Sequence, residues 1–246
     1  MRMSHLVDIL TSMPLEVLVK EVRAEGSFLH AHFEVLEHVS CAKIPRLVLR
    51  HASTGTEVDV ISDLADPSAP VRDEVTRSLL GWDPRVRELA CLIGDWARLY
   101  QAEMPPKIGF PNSYTFRLTG FHYLMIRPRG PLLPALAATG TSLCSAALSP
   151  GQMTAVRQLS AKELFLEWLG HLAAAGDPDR GLWANLRKPW ETGPGPQKVR
   201  WGVIDPVSGR NLTNFRGMQP GVIANVAREV ICDENTRFSS LRHSRL

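Results

Sequence analysis

Long apolar runs are missing from this chain. Every hydrophobic stretch is broken by charge well before the roughly 18 residues a membrane span needs, so no membrane partner is expected. An excess of charge of one sign is missing too: 28 Lys and Arg stand against 25 Asp and Glu, a net of +3. Bulk charge therefore neither demands nor excludes nucleic acid, and a local basic surface could still bind it. Cysteine is sparse. Cys41, Cys91, Cys144 and Cys232 form no CxxC pair, which argues against structural zinc and against a disulfide scaffold. They are expected to be reduced and mostly in the core of an intracellular protein. No HExxH accompanies His30, His32 and His38 of "HAHFEVLEH", which read as a half-exposed helix face. No internal repeat is present. The opening "MRMSHLVDIL" has too short an apolar part for a secretory leader and no small-residue cleavage site after it. It reads as a strand inside a domain, so the chain is expected to begin partway through a fold.

What is present is ordinary for a globular protein. The 246 residues are 44% hydrophobic and 22% charged, enough for one large domain or two small ones. Leu15, Leu18, Val19 and Val22 have helical spacing. "KIPRLVLRH" and "EVDVIS" flank the turn-like "ASTGT", the pattern of a β-hairpin. "DLADPSAP" reads as a loop and a domain boundary.

The chain then turns helical. Asp83 with Pro84 can open a helix whose apolar face is Val86, Leu89, Ala90, Ile93, Trp96 and Ala97. Asn112 or Ser113 can cap the next, carrying Tyr114, Leu118, Phe121 and Met125, and "RPRGPLLP" breaks it. Ser160 and Glu163 have capping-box spacing ahead of "AKELFLEWLGHLA". "ETGPGPQ" reads as a flexible loop, "VRWGVIDP" as a short extended piece, and "GVIANVAREV" as a last helix. The expected fold class is α+β: a small α/β piece, residues 1–69, then a mainly helical piece, residues 70–246. A cleft between two such lobes is a common ligand site.

One residue resists a purely structural reading. Asp59 sits in the middle of the valine-rich "TEVDVISD", although strands are depleted in Asp and a buried carboxylate is costly unless compensated. An edge-strand acid facing water is the plain explanation.

Four stretches, in order, carry a resemblance. They are "KIPRLVLRHASTGTEVDVISD", "DPRVRELACLIGDWARLY", "FPNSYTFRLTGFHYLMIRP" and "VIDPVSGRN…ANVAREV". Together the chain resembles the template-independent terminal RNA nucleotidyltransferases, the family of poly(A) polymerases and terminal uridylyltransferases. The first stretch looks like that family's catalytic hairpin. The others look like its D-x-R-V…I-K-x-W-A-K helix, its S-Y-x-x-x-L helix start and its I-x-D-P…N-V-x-R ending. The resemblance implies a partial palm followed by a helical poly(A)-polymerase-associated domain. It implies transfer of UMP or AMP from UTP or ATP to an RNA 3′ end, with release of pyrophosphate. Mg²⁺ or Mn²⁺ would be the cofactor, held in part by Asp59, since such ions take hard oxygen ligands. An RNA-processing complex would be a partner, and mitochondrion or cytoplasm the setting.

By the same resemblance Arg98 and Ser113 would hold phosphates, Tyr114 would stack on the base, and Asp205 would read its edge. The departures are specific. Gly94 replaces the first lysine of I-K-x-W-A-K, and Arg98 the second. "VTRSLL" offers Thr76, Arg77 and Ser78 where a ribose-contacting asparagine is expected. Ser208 replaces the glutamate of D-P-x-E, and Ala224 stands where some members have histidine. The G-S and D-x-D motifs belong close to or before Met1, and "SHLVD" (Ser4 to Asp8) retains at most one acid. Two expectations follow: an enzyme that begins partway through its palm, or a catalytically inactive subunit serving as an RNA-binding or assembly module.

Overall fold

The computed structural model describes residues 6–41, 45–62, 68–143, 159–176, 180–191, 201–213 and 220–233. The chain divides into two compact units, Met1–Asp73 and Glu74–Leu246. The fold class is α+β, as the sequence indicates.

The smaller unit is a four-stranded sheet with two helices. Its strands are β1 (Leu6–Thr11), β2 (Phe33–Val39), β3 (Arg46–His51) and β4 (Glu57–Ser62), in the order β1-β4-β3-β2. β1 runs parallel to β4; the other pairs are antiparallel. The expected hairpin is β3–β4. Its turn closes with the Gly55 amide donating to the His51 carbonyl at 2.9 Å, and Gly55 takes φ 70°, the left-handed region that glycine enters without a steric penalty. Helix α1 (Leu15–Arg23) lays Leu15, Val19 and Val22 over Leu47, Leu49, Val58 and Val60. Fully burying one such side chain stabilises by roughly 1.5–3 kcal/mol.

Strand alternation then sends Arg46, Arg50, Glu57 and Asp59 to the opposite face. Two arginine-centred pairs cross it. Arg50 lies 3.6 Å from Glu34 and 3.7 Å from Glu57; Arg46 lies 3.2 Å from Glu37 and 3.3 Å from Asp59.

Two readings need correction here. The "HAHFEVLEH" segment is not one helix face. Ser27 caps the short helix α2 (Phe28–His32), and the chain then becomes β2, with His38 inside the strand. The backbone groups of this segment find partners on β3, and that long-range pairing overrides the local pattern. The described cysteines are not in the core either: Cys41 and Cys232 are exposed and Cys91 is half-buried. Cys41 and Cys232 lie at or just past the ends of elements, and Cys91 sits beside the buried stripe of its helix. All three are free thiols. Cys144, Ser4, most of "ETGPGPQ" and residues 63–67 of the boundary loop lie outside the described residues.

The larger unit is mainly helical: α3 (Ala69–Leu80, which the unit boundary crosses), α4 (Pro84–Leu99), α5 (Ser113–Ile126), α6 (Ala161–Ala175) and α7 (Pro220–Cys232). A parallel two-stranded sheet, β5 (Leu182–Ala184) and β6 (Trp201–Val203), completes it. α4 buries Val86, Leu89, Ala90, Ile93 and Trp96 as its spacing predicts, together with Gly94, while Ala97 is half-buried. Trp96 stands edge-on to Phe116 of α5 and to Trp168 of α6, at ring centroid distances of 5.0 and 5.3 Å. The Trp168 indole N–H donates to the Thr119 hydroxyl at 3.0 Å, so the ring is buried with its one donor satisfied. Ser160 and Glu163 form the expected capping box at the start of α6. Among the described residues no helix is long and apolar enough to cross a membrane.

Candidate functional site

Asp59 belongs to the smaller unit; Arg98, Ser113, Tyr114 and Asp205 belong to the larger.

Asp59 is buried at the centre of β4. Its Oδ2 accepts from Arg46 Nη1 at 3.3 Å, while Oδ1 is buried with no hydrogen-bond partner among the described residues. The sheet register sets Asp59 opposite Val48 on β3 and opposite Asp8 on β1. Asp59 is thus not an edge-strand acid facing water. Parallel pairing brings the single acid of "SHLVD" to the position beside it, which the sequence alone did not reveal.

A pair of divalent ions needs several converging carboxylate oxygens. Among the described residues no group of three or more Asp, Glu, His or Cys side chains converges. The described side chains bring fewer than three such ligands together at Asp59, and Arg46 already holds one of its oxygens. They do not fit a two-metal centre.

The larger unit gathers cations where α4 meets α5. Arg98, one turn after Gly94 on α4, is exposed and ion-pairs with Asp95. Asn112, not Ser113, caps α5: its Oδ1 accepts from the Thr115 amide and the Thr115 hydroxyl, both at 2.9 Å. Ser113 is therefore released from capping, and its hydroxyl makes no hydrogen bond among the described residues. Tyr114 is half-buried against the main core.

A residue that sequence reasoning missed completes this cluster. Arg117, one turn after Ser113, crosses to α4, and its Nε donates to the Ala90 carbonyl at 3.1 Å. Its guanidinium lies over Gly94: a Cβ there would overlap Nη2 and stand 3.2 Å from both Cζ and Nε. Burial lowers the pKa of Arg117, as does the nearby Arg98 charge, while Cys91 and Asp95 act in the opposite direction. The spacing of Ser113 and Arg117 in "SYTFR", one helical turn, is the signal that could have found it.

Asp205 is buried, and its carboxylate serves its own turn. Oδ1 accepts from the Val207 amide at 3.1 Å and Oδ2 from the Ser208 hydroxyl at 2.8 Å. Asn225 on α7 accepts from Arg228 at 2.8 Å.

No family profile matches the chain, and no curated protein matches it. Solved structures do. The crystal structure of mtPAP in complex with UTP is 18% identical with a TM-score of 0.66, covering 93% of this chain and 50% of that one. A cytoplasmic RNA terminal U-transferase is 16% identical, TM-score 0.64, covering 95% of this chain and 76% of that one. The Cid1 poly(U) polymerase with Mg and 3′-dATP bound is 16% identical, TM-score 0.61, covering 94% and 76%. The chain spans about half the length of the mtPAP chain. At these identities the likeness is one of fold, and this chain shares the fold of the terminal U-transferase and the poly(U) polymerase.

Proposed function

We infer that this chain binds a nucleoside triphosphate on its larger unit and is the core of a terminal RNA nucleotidyltransferase, adding UMP or AMP to RNA 3′ ends. In this reading residues 1–69 are a partial palm and residues 70–246 the helical poly(A)-polymerase-associated lobe. The observation that carries it is the α4–α5 cluster. Arg98, Arg117 and a Ser113 hydroxyl spared from capping adjoin Tyr114, an aromatic at the same helix start.

Each group has a task. A triphosphate is multiply anionic, and guanidinium forks pair with its oxygens bidentately. Ser113 adds a hydroxyl donor. Tyr114 offers a π-face for the base, worth about 1–3 kcal/mol in related stacking sites. In the transfer itself the RNA 3′ hydroxyl gives up its proton to a carboxylate or water, and its oxygen bonds to the α-phosphorus as the bond from that phosphorus to pyrophosphate breaks. Cations on the outer phosphates stabilise the charge that grows on the leaving group. Asp59, with one unpartnered oxygen and Asp8 in register beside it, is the acid proposed to serve the reacting end. Mg²⁺ or Mn²⁺ would need carboxylates beyond Asp59. Asp205, whose oxygens also hold its own turn, is the acid proposed to face the base edge.

Calorimetric titration of the chain with UTP, ATP, CTP and GTP tests this. Selective binding of UTP or ATP, weakened at least about 5-fold by Tyr114→Ala, is the expected result. Asp59→Asn should leave that binding intact and reduce any primer extension. No binding of any nucleotide at millimolar concentration would end the reading. Binding without extension of an RNA primer would make the chain a nucleotide-binding subunit instead.

A further inference from the structure

Gly94 and Arg117 are one device. The guanidinium lies so close over Gly94 that a side chain at position 94 would make the flexible end of Arg117 move aside. The helix glycine, which costs roughly 1 kcal/mol against alanine, is what admits Arg117 onto α4. Of the five N–H donors in the guanidinium, only Nε–H is used, on the Ala90 carbonyl. The other four meet no acceptor among the described residues, and Arg117 has no ion pair there. Asp95, the acid nearest in sequence to Gly94, is already paired with Arg98. A half-buried cation with a fixed root, whose other four donors meet no acceptor among the described residues and are not sealed from solvent, is arranged to receive an anion.

The neighbours say which anion. Arg98 lies one turn along α4 from Gly94, and Ser113 one turn back along α5 from Arg117. The two arginines are close enough for the charge of Arg98 to act on Arg117. Asp95, paired with Arg98, offsets part of their joint charge, and a multiply charged anion would offset the rest.

We propose that Arg117 holds the outer phosphates of the bound nucleoside triphosphate, supplying from α5 the cation that position 94 of α4 does not carry. This rests on the nucleotide-site reading above and adds a phosphate-positioning residue to it. The fork is planar and anchored through Nε, so it fixes the direction of the phosphate as well as its charge. Lysine at the same position would keep the charge and lose the geometry.

The test compares triphosphates with monophosphates. Titrate UTP, ATP, UMP and AMP into the full chain, Arg117→Ala, Arg117→Lys and the double variant Gly94→Lys/Arg117→Ala. Arg117→Ala should weaken the triphosphate about 10- to 100-fold, the range of charge-assisted hydrogen bonds. It should barely change the monophosphate. Arg117→Lys should lie between the two. In the double variant the overlap is gone, and the lysine should recover most of the lost triphosphate affinity. If Arg117→Ala does not fold, Arg117→Gln, which keeps a donor for Ala90, carries the same comparison. Triphosphate affinity unchanged by the loss of Arg117 overturns the proposal and leaves the nucleotide site standing. An equal loss for UTP and UMP also overturns it, since a helix staple alone gives that result. A wild-type chain that binds no nucleotide ends both readings.

Discussion

His122 shows how one buried ring sets a pH limit. It lies on α5 with Nε2 donating to the Pro189 carbonyl at 3.0 Å and Nδ1 buried with no partner among the described residues. Burial lowers its pKa from 6.5 to about 4, reinforced by the neighbouring His171, whose own pKa burial also lowers. The folded state therefore favours neutral imidazole. Unfolded chains take up the proton first, so the stabilisation is complete above about pH 6.5 and is lost as pH falls towards 4. The difference amounts to about 3 kcal/mol across that window. Thermal unfolding followed from pH 7 to pH 4 should show this loss, and His122→Gln should flatten the curve. A curve equally steep in the variant would assign the acid sensitivity elsewhere. Glu167 acts in the same direction at lower pH. Arg127 grips it with two hydrogen bonds, at 2.6 and 3.1 Å, and holds its pKa below the usual carboxylate range.

At the scale of the element, the start of α5 separates structure from function by one residue. Asn112 supplies the cap and Ser113 supplies none of it. Asn112→Ala should cost about 1 kcal/mol of stability, as the loss of a cap does. Ser113→Ala should leave the denaturation midpoint unchanged and weaken triphosphate binding. Matched denaturation curves and nucleotide titrations of the two variants check both halves. A destabilised Ser113→Ala would return that residue to a purely structural role. Much of this element was legible beforehand. Its breaker after Ile126 follows from Pro128 and Gly130, and Leu118, Phe121 and Met125 are buried as the spacing gave, but Tyr114 is half-buried and Thr115, Phe116, Thr119, His122, Tyr123 and Leu124 are buried as well. The choice of cap was not legible, because Asn and Ser are equally good caps in sequence.

At the scale of the molecule, nucleotide binding should appear as stability. A ligand at one hundred times its dissociation constant adds about 2.7 kcal/mol to the state it binds. For a chain of this size that is a rise of roughly 5–10 °C in the thermal midpoint. Scanning calorimetry with and without saturating UTP or ATP measures it. A rise for a triphosphate and none for its nucleoside would place the binding energy on the phosphates.

The sequence by itself determined the local elements. The β3–β4 hairpin follows from two strand-like runs around a turn with Gly55, most of the buried stripe of α4 from its spacing, and the α6 capping box from Ser160 and Glu163. Each of these is decided by residues a few positions apart. The tertiary structure decided what lies beside what. It set Asp8 in register with Asp59, gave Asp59 an arginine partner, turned His38 into a strand residue, and brought Arg117 over Gly94. Such neighbours come from strand pairing and helix packing between distant segments. Their energies belong to the assembled fold, and no local pattern encodes them.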